Sequence, residues 1–399
     1  MRALPAEIKK IRNEQNGRVL ITGATGLLGS HLVKAIAEEG HKITVLVRPK
    51  TGPERFQRIV RWLEIPKEHE HRIQVIEGDL LAPRFALTES EYATLAKSVR
   101  EIIHCAADTS FSHSKQQQVE AVNVGGMQNI LELAVEGGCL FFHHVSTAFV
   151  TGQTRKYCRE ELVARSASAD NFNNPYEETK HKAEHLAAEL CRDAGIRLNI
   201  YRPSIVYGNS INGKTFRFNA LYHPLRAIHR LYESYRTDLD TQGGKNAGKV
   251  GVSRGDNGWL FFPLSVPVKR GCGINIIPID FFVSTFLKIF NNCTEGNIYH
   301  LVQKQNTKIE NIVAYTARYF SLAGLKSSYK NGSKAPLDKL FRIYNKVYMP
   351  YFQDSRKFSF DHVKECGIIP YAADTFTFEQ YRTCMDYALE TEWGAKLGF

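Results

Sequence analysis

The sequence predicts an α/β chain built on a doubly wound parallel sheet, with a smaller, mostly helical C-terminal portion. Three observations carry this reading. Between Gly17 and Lys50 an apolar run, a glycine turn, an amphipathic run and a second apolar run succeed one another. Short β-branched runs then recur at intervals of helical length, and beyond residue 306 the pattern turns helical and aromatic.

The first unit sets the chemistry. Val19, Leu20 and Ile21 read as a strand, and Leu28, Leu32, Val33 and Ile36 share one face of the helix after it. Between them lies TGATGLLG, whose Gly23, Gly26 and Gly29 let the backbone turn tightly, approach a pyrophosphate and pack helix on strand. The helix start at Leu27 to Ser30 aims free N–H groups at an anion, so a dinucleotide is the expected guest. Further strands are expected at Ile43–Val47, 73–76, 102–103, Phe141–Val145 and 198–201, with helices over 122–136 and 176–191.

After Gly208 the character changes. Phe218, Leu221, Tyr222, Leu225, Ile228 and Leu231 repeat at helical spacing within 216–235, accompanied by Arg217, Arg226, Arg230 and Arg236; Pro224 either interrupts that helix or begins it. The polar, glycine-rich stretch 243–258 is expected to be mobile. Strand character returns at 274–279 and 298–302, and the aromatic stretch 341–352 reads as part of a substrate-covering portion. The expected organisation is an N-terminal extension (1–16), a cofactor-binding unit with the catalytic residues (17–208), a substrate-side insertion or lid (209–273), returning strands of the core (274–305) and a C-terminal substrate-binding portion (306–399).

Composition bounds the rest. The chain has 399 residues, enough to bury a large core, and no stretch approaches the roughly 20 apolar residues of a spanning helix. Residues 1–15 lack the apolar run of a secretory signal, so a cytoplasmic location is expected. Eight singly scattered cysteines point to reduced thiols and no metal site; His69 and His71 read as a solvated loop. Fifty-two basic against 41 acidic residues give +11, which favours anionic partners, yet no nucleic-acid reader motif accompanies that charge.

Tyr176 and Lys180 stand four residues apart, so on a helix both emerge on one face. A nearby ammonium stabilises a phenolate, bringing the hydroxyl closer to working pH as an acid or base. Shortly before them, the strand at Phe141–Val145 runs into the hydroxyls of Ser146 and Thr147. At the end of the second strand, where an acid would accept from the ribose of NAD, stands Arg48; with Arg55 and Lys50 it suits a 2′-phosphate, so NADPH is the expected cofactor.

TGATGLLG, Arg48, EGDL around Asp79, HCAAD at 104–108, NVGG at Asn123, VSTAFVTG, YEETK and YRPSIVYG together resemble the extended short-chain dehydrogenase/reductase superfamily over roughly 17–305. HCAADTSF, the Ser-Thr pair followed by AFV, and LVRPKTGPERF are most similar to its thioester reductases and fatty acyl-CoA reductases; sugar-nucleotide epimerases are the nearest rival branch. The resemblance implies a Rossmann-type sheet. It also implies that Thr147, with Ser146 as neighbour, hydrogen-bonds the substrate carbonyl, that Tyr176 donates the proton, and that Lys180 binds ribose and tunes Tyr176 with support from Asn123. By the same resemblance Gly23, Gly26, Gly29, Arg48, Arg55 and Lys180 hold the cofactor, Asp79 contacts adenine, and Ala106 and Ala107 line the nicotinamide ribose path; Thr25, Leu27, Leu28, Leu80, Pro203 and Ile205 complete the set.

The implied reaction is NADPH-dependent reduction of an acyl thioester, carried by coenzyme A or an acyl carrier protein, to an aldehyde, with a second reduction to the alcohol left open. Peripheral membrane contact and a homodimer also stay open. Alternatives from the same residues are a sugar-nucleotide epimerase or dehydratase, a hydroxysteroid-type ketone reductase, and a non-catalytic NADP(H)-sensing protein; net consumption of NADPH on a thioester separates them from the thioester reductase.

Overall fold

Strands whose side chains are buried on both faces need helices above and below them, and that requirement shapes the centre of the molecule. The computed structural model describes residues 17–153, 156–165, 171–255, 258–292, 295–329, 335–369, 371 and 376–399; the expected extension 1–16 lies outside the described residues. Seven strands form one sheet: β1 (Arg18–Thr22), β2 (Ile43–Val47), β3 (Ile73–Glu77), β4 (Val99–His104), β5 (Phe141–Val145), β6 (Arg197–Pro203) and β7 (Ile298–Leu301). All pair in parallel, in the order β7-β6-β5-β4-β1-β2-β3. The winding reverses between β1 and β4, which opens a crevice at their carboxyl ends, where Thr22 lies opposite His104.

Helix α1 (Leu27–Glu38) buries Leu32, Val33 and Ile36 completely, and α2 (Gly52–Trp62) buries Phe56 and Ile59 beside them in the same core cluster. On the other face, α3 (Gly126–Glu136) and α4 (Pro175–Asp193) pack Ile130, Leu131, Ala183 and Ala187 against Leu20 and Ile102. The helix expected over 122–136 is built in two parts, a π-turn Ala121–Gly125 that contains Asn123 and then α3, and a short helix Gln116–Glu120 precedes them.

The later helices α5 (Tyr222–Thr241), α7 (Ile309–Tyr319), α8 (Pro336–Tyr344) and α9 (Phe378–Glu390) enclose a second core, with ladders of two or three residues between them. Helix α6 (Ile279–Asn292) returns to the first core through Phe282 and Phe286. Pro224 is the third residue of α5 and begins it, where its missing N–H would be unpaired anyway.

Two expectations give way here. The stretch 243–258 is tied down among its described residues: it forms a helix at Lys245–Lys249 and a strand at Ser253–Arg254, and the buried Asp238 carboxylate accepts from the Asn246 and Ala247 N–H groups at 2.9 and 2.8 Å. Within 274–305, Ile298–Leu301 joins the main sheet, whereas Ile276–Pro278 pairs with Ile205–Tyr207 in a separate two-stranded ladder. Pro278 has no N–H with which to extend that pairing. Among the described residues no helix is long and apolar enough to cross a membrane.

Candidate active site

The glycine turn is dictated by steric demand. Gly23 has φ +71°, and a Cβ there would meet the Ala106 nitrogen at 2.6 Å; a Cβ on Gly29 would collide with the Gly23 carbonyl. The Gly26 N–H donates to the Gly23 oxygen at 2.8 Å, and α1 starts at Leu27 with no side chain capping it, which leaves its first amides facing the crevice. These are the features that a pyrophosphate requires.

A cavity of about 890 Å³ starts at this turn and runs into the C-terminal portion. Gly23, Thr25, Gly26, Leu27, Leu28 and Gly29 line one end. Arg48, Arg55, Asp79 and Leu80 line it past the ends of β2 and β3, and Ala106, Ala107, Pro203 and Ile205 continue the wall toward Ser146, Thr147, Tyr176 and Lys180. Leu225, Ile228, Ile312, Val313 and Phe341 give the far end an apolar lining. Of the residues expected at the site, Asn123 and Lys50 do not line it; the Lys50 amide donates instead to Glu77 at 3.1 Å.

Tyr176 owes its place to a well-made helix start. The Asn174 side chain accepts from the Glu177 amide at 3.0 Å, and Pro175 opens α4. One turn on, the Lys180 ammonium is buried and donates to the Val145 carbonyl at 2.8 Å, fixing α4 to the end of β5. Thr147 accepts from the Phe149 amide at 3.3 Å, and its side chain interacts with that of Tyr176. Ser146 is buried beside it, its hydroxyl without a partner among the described residues.

The electrostatics differ from the sequence expectation. Burial raises the Tyr176 phenol above its ordinary value, the Thr147 side chain opposes this, and Glu177 adds to the rise. Burial lowers Lys180 to about 8, against the pull of Cys105 and Glu184. Lys180 is not among the groups that shift Tyr176, and desolvation, the largest influence on the phenol, keeps it protonated. His104 beneath is pressed down to about 3 by burial and Lys180, so it is neutral as it meets the Thr22 hydroxyl at 2.8 Å.

Asn123 acts at one remove. Its side-chain amide donates to the Thr179 hydroxyl at 2.9 Å and the Asp108 carbonyl at 3.0 Å, and its oxygen accepts from the Asp108 amide at 2.8 Å. It thereby ties the loop after β4 to the helix residue preceding Lys180.

Sequence reasoning missed the polar groups behind this site. Glu177, fully buried, accepts from the Tyr351 hydroxyl at 2.6 Å and lies 3.9 Å from Arg356, while Asn174 donates to the same hydroxyl at 2.7 Å. Glu184 and Arg202, both buried, form a two-pronged pair at 2.8 and 2.5 Å. Phe111 stacks between Tyr176 and Tyr351, with centroids 6.1 and 5.5 Å away, and closes the site with an aromatic wall. The aromatic run containing Tyr351 is visible in the sequence; its partner 174 residues earlier is not.

The sequence model of the Male sterility protein family matches residues 21–286. The chain is 26% identical over 223 residues to the nonribosomal peptide synthetase asaC of Aspergillus flavus; the match takes in 53% of this chain and 22% of that protein, so the chain spans about a fifth of that relative's length. It is similar in fold to the terminal R domain from the myxalamid PKS-NRPS biosynthetic pathway, with TM-score 0.74, 22% identity and 94% and 91% of the two chains covered. A thiolation-reductase di-domain from an archaeal non-ribosomal peptide synthetase is similar at TM-score 0.64 and 18% identity, over 95% of this chain and 91% of that one.

Proposed function

Because the chain belongs to the NAD-binding Male sterility protein family, within the extended short-chain dehydrogenase/reductase superfamily, we propose that it is an NADPH-dependent reductase that converts an acyl thioester to an aldehyde. The observation that carries this reading is the meeting of Thr147, Tyr176 and Lys180 on the wall of the cavity that begins at the glycine turn. The uncapped amides at the start of α1 and the unpartnered Nε of Arg55 suit a phosphorylated dinucleotide.

A reduced nicotinamide, when bound, supplies the hydride. The chain's own residues do the rest. Thr147 and Tyr176 hold the thioester oxygen between two hydroxyls, where charge develops as the carbonyl carbon is reduced. Tyr176, kept protonated by burial, gives its proton to that oxygen, and the resulting thiohemiacetal breaks its C–S bond to release thiol and aldehyde. Lys180, anchored on Val145, holds the ribose side, and its positive charge stabilises the phenolate left on Tyr176.

The apolar far end suits an acyl chain, and the kinship with a thiolation-reductase di-domain favours delivery on a carrier protein, with coenzyme A as the other anionic vehicle. In this reading residues 17–208 form the cofactor unit, while 209–273 and 306–399 cover the substrate. The test tracks NADPH absorbance with acyl-carrier protein, acyl-CoA, aldehyde and UDP-sugar substrates side by side. Consumption with a thioester, reduced roughly 100-fold or more by Tyr176→Phe, is the expected result. Conversion of a UDP-sugar without net loss of NADPH, and no turnover of thioester, would overturn it.

A further inference from the structure

In the sequence Arg217 groups with Arg226, Arg230 and Arg236 as one positive stretch, but the structure separates them. Arg236 pairs with Glu233 on α5 at 2.7 Å, whereas Arg217 precedes the helix and lines the same cavity as Arg48 and Arg55. Among the described residues no carboxylate lies within ion-pair distance of Arg48, Arg55 or Arg217, although their neighbours Arg58 and Lys214 face Glu54 and Glu64 at 3.9 and 3.2 Å. Burial, and after it the charge of Arg55, lowers the basicity of Arg217; burial, and after it the charges of Arg48 and Arg58, lowers that of Arg55. The three cavity-lining arginines are thus electrostatic neighbours. The buried Nε of Arg55 has no acceptor among the described residues.

The segment is held firmly. The Arg217 amide donates to the buried Thr215 hydroxyl at 3.2 Å. Phe216 packs edge-on against Trp62 of α2, 5.2 Å between centroids, and at a tilt against Phe399 at 5.1 Å. The Arg217 backbone is thus held, through Phe216, beside the helix that carries Arg55. Like charges gathered without a counter-ion repel one another, so such a cluster is built for an anion with several acceptor oxygens.

Resting on the NADPH reading above, we propose that Arg217, from the substrate-side segment, is the third guanidinium of the cofactor's 2′-phosphate site and sets the preference for NADPH over NADH. The cofactor phosphate then joins the cofactor unit to the segment leading into α5, so that the phosphorylated dinucleotide also braces the substrate side.

Fluorescence titration of the full chain with NADPH and with NADH, together with displacement by 2′,5′-ADP, tests this. Arg217→Gln should weaken NADPH and 2′,5′-ADP roughly tenfold, the loss of one charged hydrogen bond, and leave NADH within about twofold, as unaltered NADH binding also reports an intact fold. Arg230→Gln, on α5, should change neither. The proposal is overturned when Arg217→Gln preserves the NADPH-to-NADH ratio or weakens both alike. A wild-type chain with no preference for NADPH overturns the cofactor reading itself, a result visible before any variant is made.

Discussion

Raising the pH through the titration of Lys180 should switch off cofactor binding and turnover together. Burial brings its pKa from 10.5 to about 8, a difference that corresponds to about 3 kcal/mol against holding the ammonium in place. At pH 7 the buried group is still mostly charged; at pH 9 about nine in ten molecules have lost the proton, and kcat/KM for NADPH should fall about tenfold per unit beyond pH 8. The sign for stability is opposite. Between pH 8 and 10.5 the unfolded chain binds a proton at Lys180 that the folded chain does not, so this residue's penalty on folding shrinks as pH rises through that window. The assay is kcat/KM for NADPH at saturating thioester from pH 6.5 to 9.5, paired with NADPH titration over the same range. A profile flat to pH 9.5, or one whose decline persists in the residual activity of Lys180→Met, would refute the reasoning.

Three further outcomes are expected. Gly23→Ala places a methyl group 2.6 Å from the Ala106 nitrogen at φ +71°, so dinucleotide binding measured by titration should be abolished, and the melting temperature should drop. Glu184→Gln leaves the Arg202 charge buried without its counter-ion, and chemical denaturation should report a loss of about 3 kcal/mol. Tyr351→Phe removes a hydroxyl that joins Asn174 to Glu177, for about 2 kcal/mol of stability; kcat should fall while NADPH affinity holds, because the perturbed helix start carries Tyr176.

The local order of the sheet was readable because its signals are local. Ile43–Val47 and Phe141–Val145 are strands with the bounds their β-branched and apolar runs suggest, and the residues of TGATGLLG fold into the turn their spacing demands. The cavity also brings together Arg48, Arg55, Asp79, Thr147, Tyr176 and Lys180, which are scattered over 133 positions of sequence. Less legible were features set by distant partners. Glycines in 243–258 suggested freedom, but one buried carboxylate, Asp238, gathers two amides of that stretch. Ile276–Pro278 has the composition of a sheet strand, and only its pairing with Ile205–Tyr207 places it elsewhere. The acidity of Tyr176 was hidden for a related reason: i, i+4 spacing reveals the neighbouring ammonium, but not the desolvation that dominates the phenol.

The contact between Glu177 and Tyr351 has a consequence for redesign. On the proposed reading, specificity would be altered by exchanging the C-terminal portion for that of a relative. Here the exchanged piece also supplies the hydroxyl and the guanidinium of Arg356 that face an acid adjacent to Tyr176. A chimera joined at residue 306 inherits only half of that arrangement, so the donor must bring an equivalent tyrosine and arginine, or Glu177 must be changed with it.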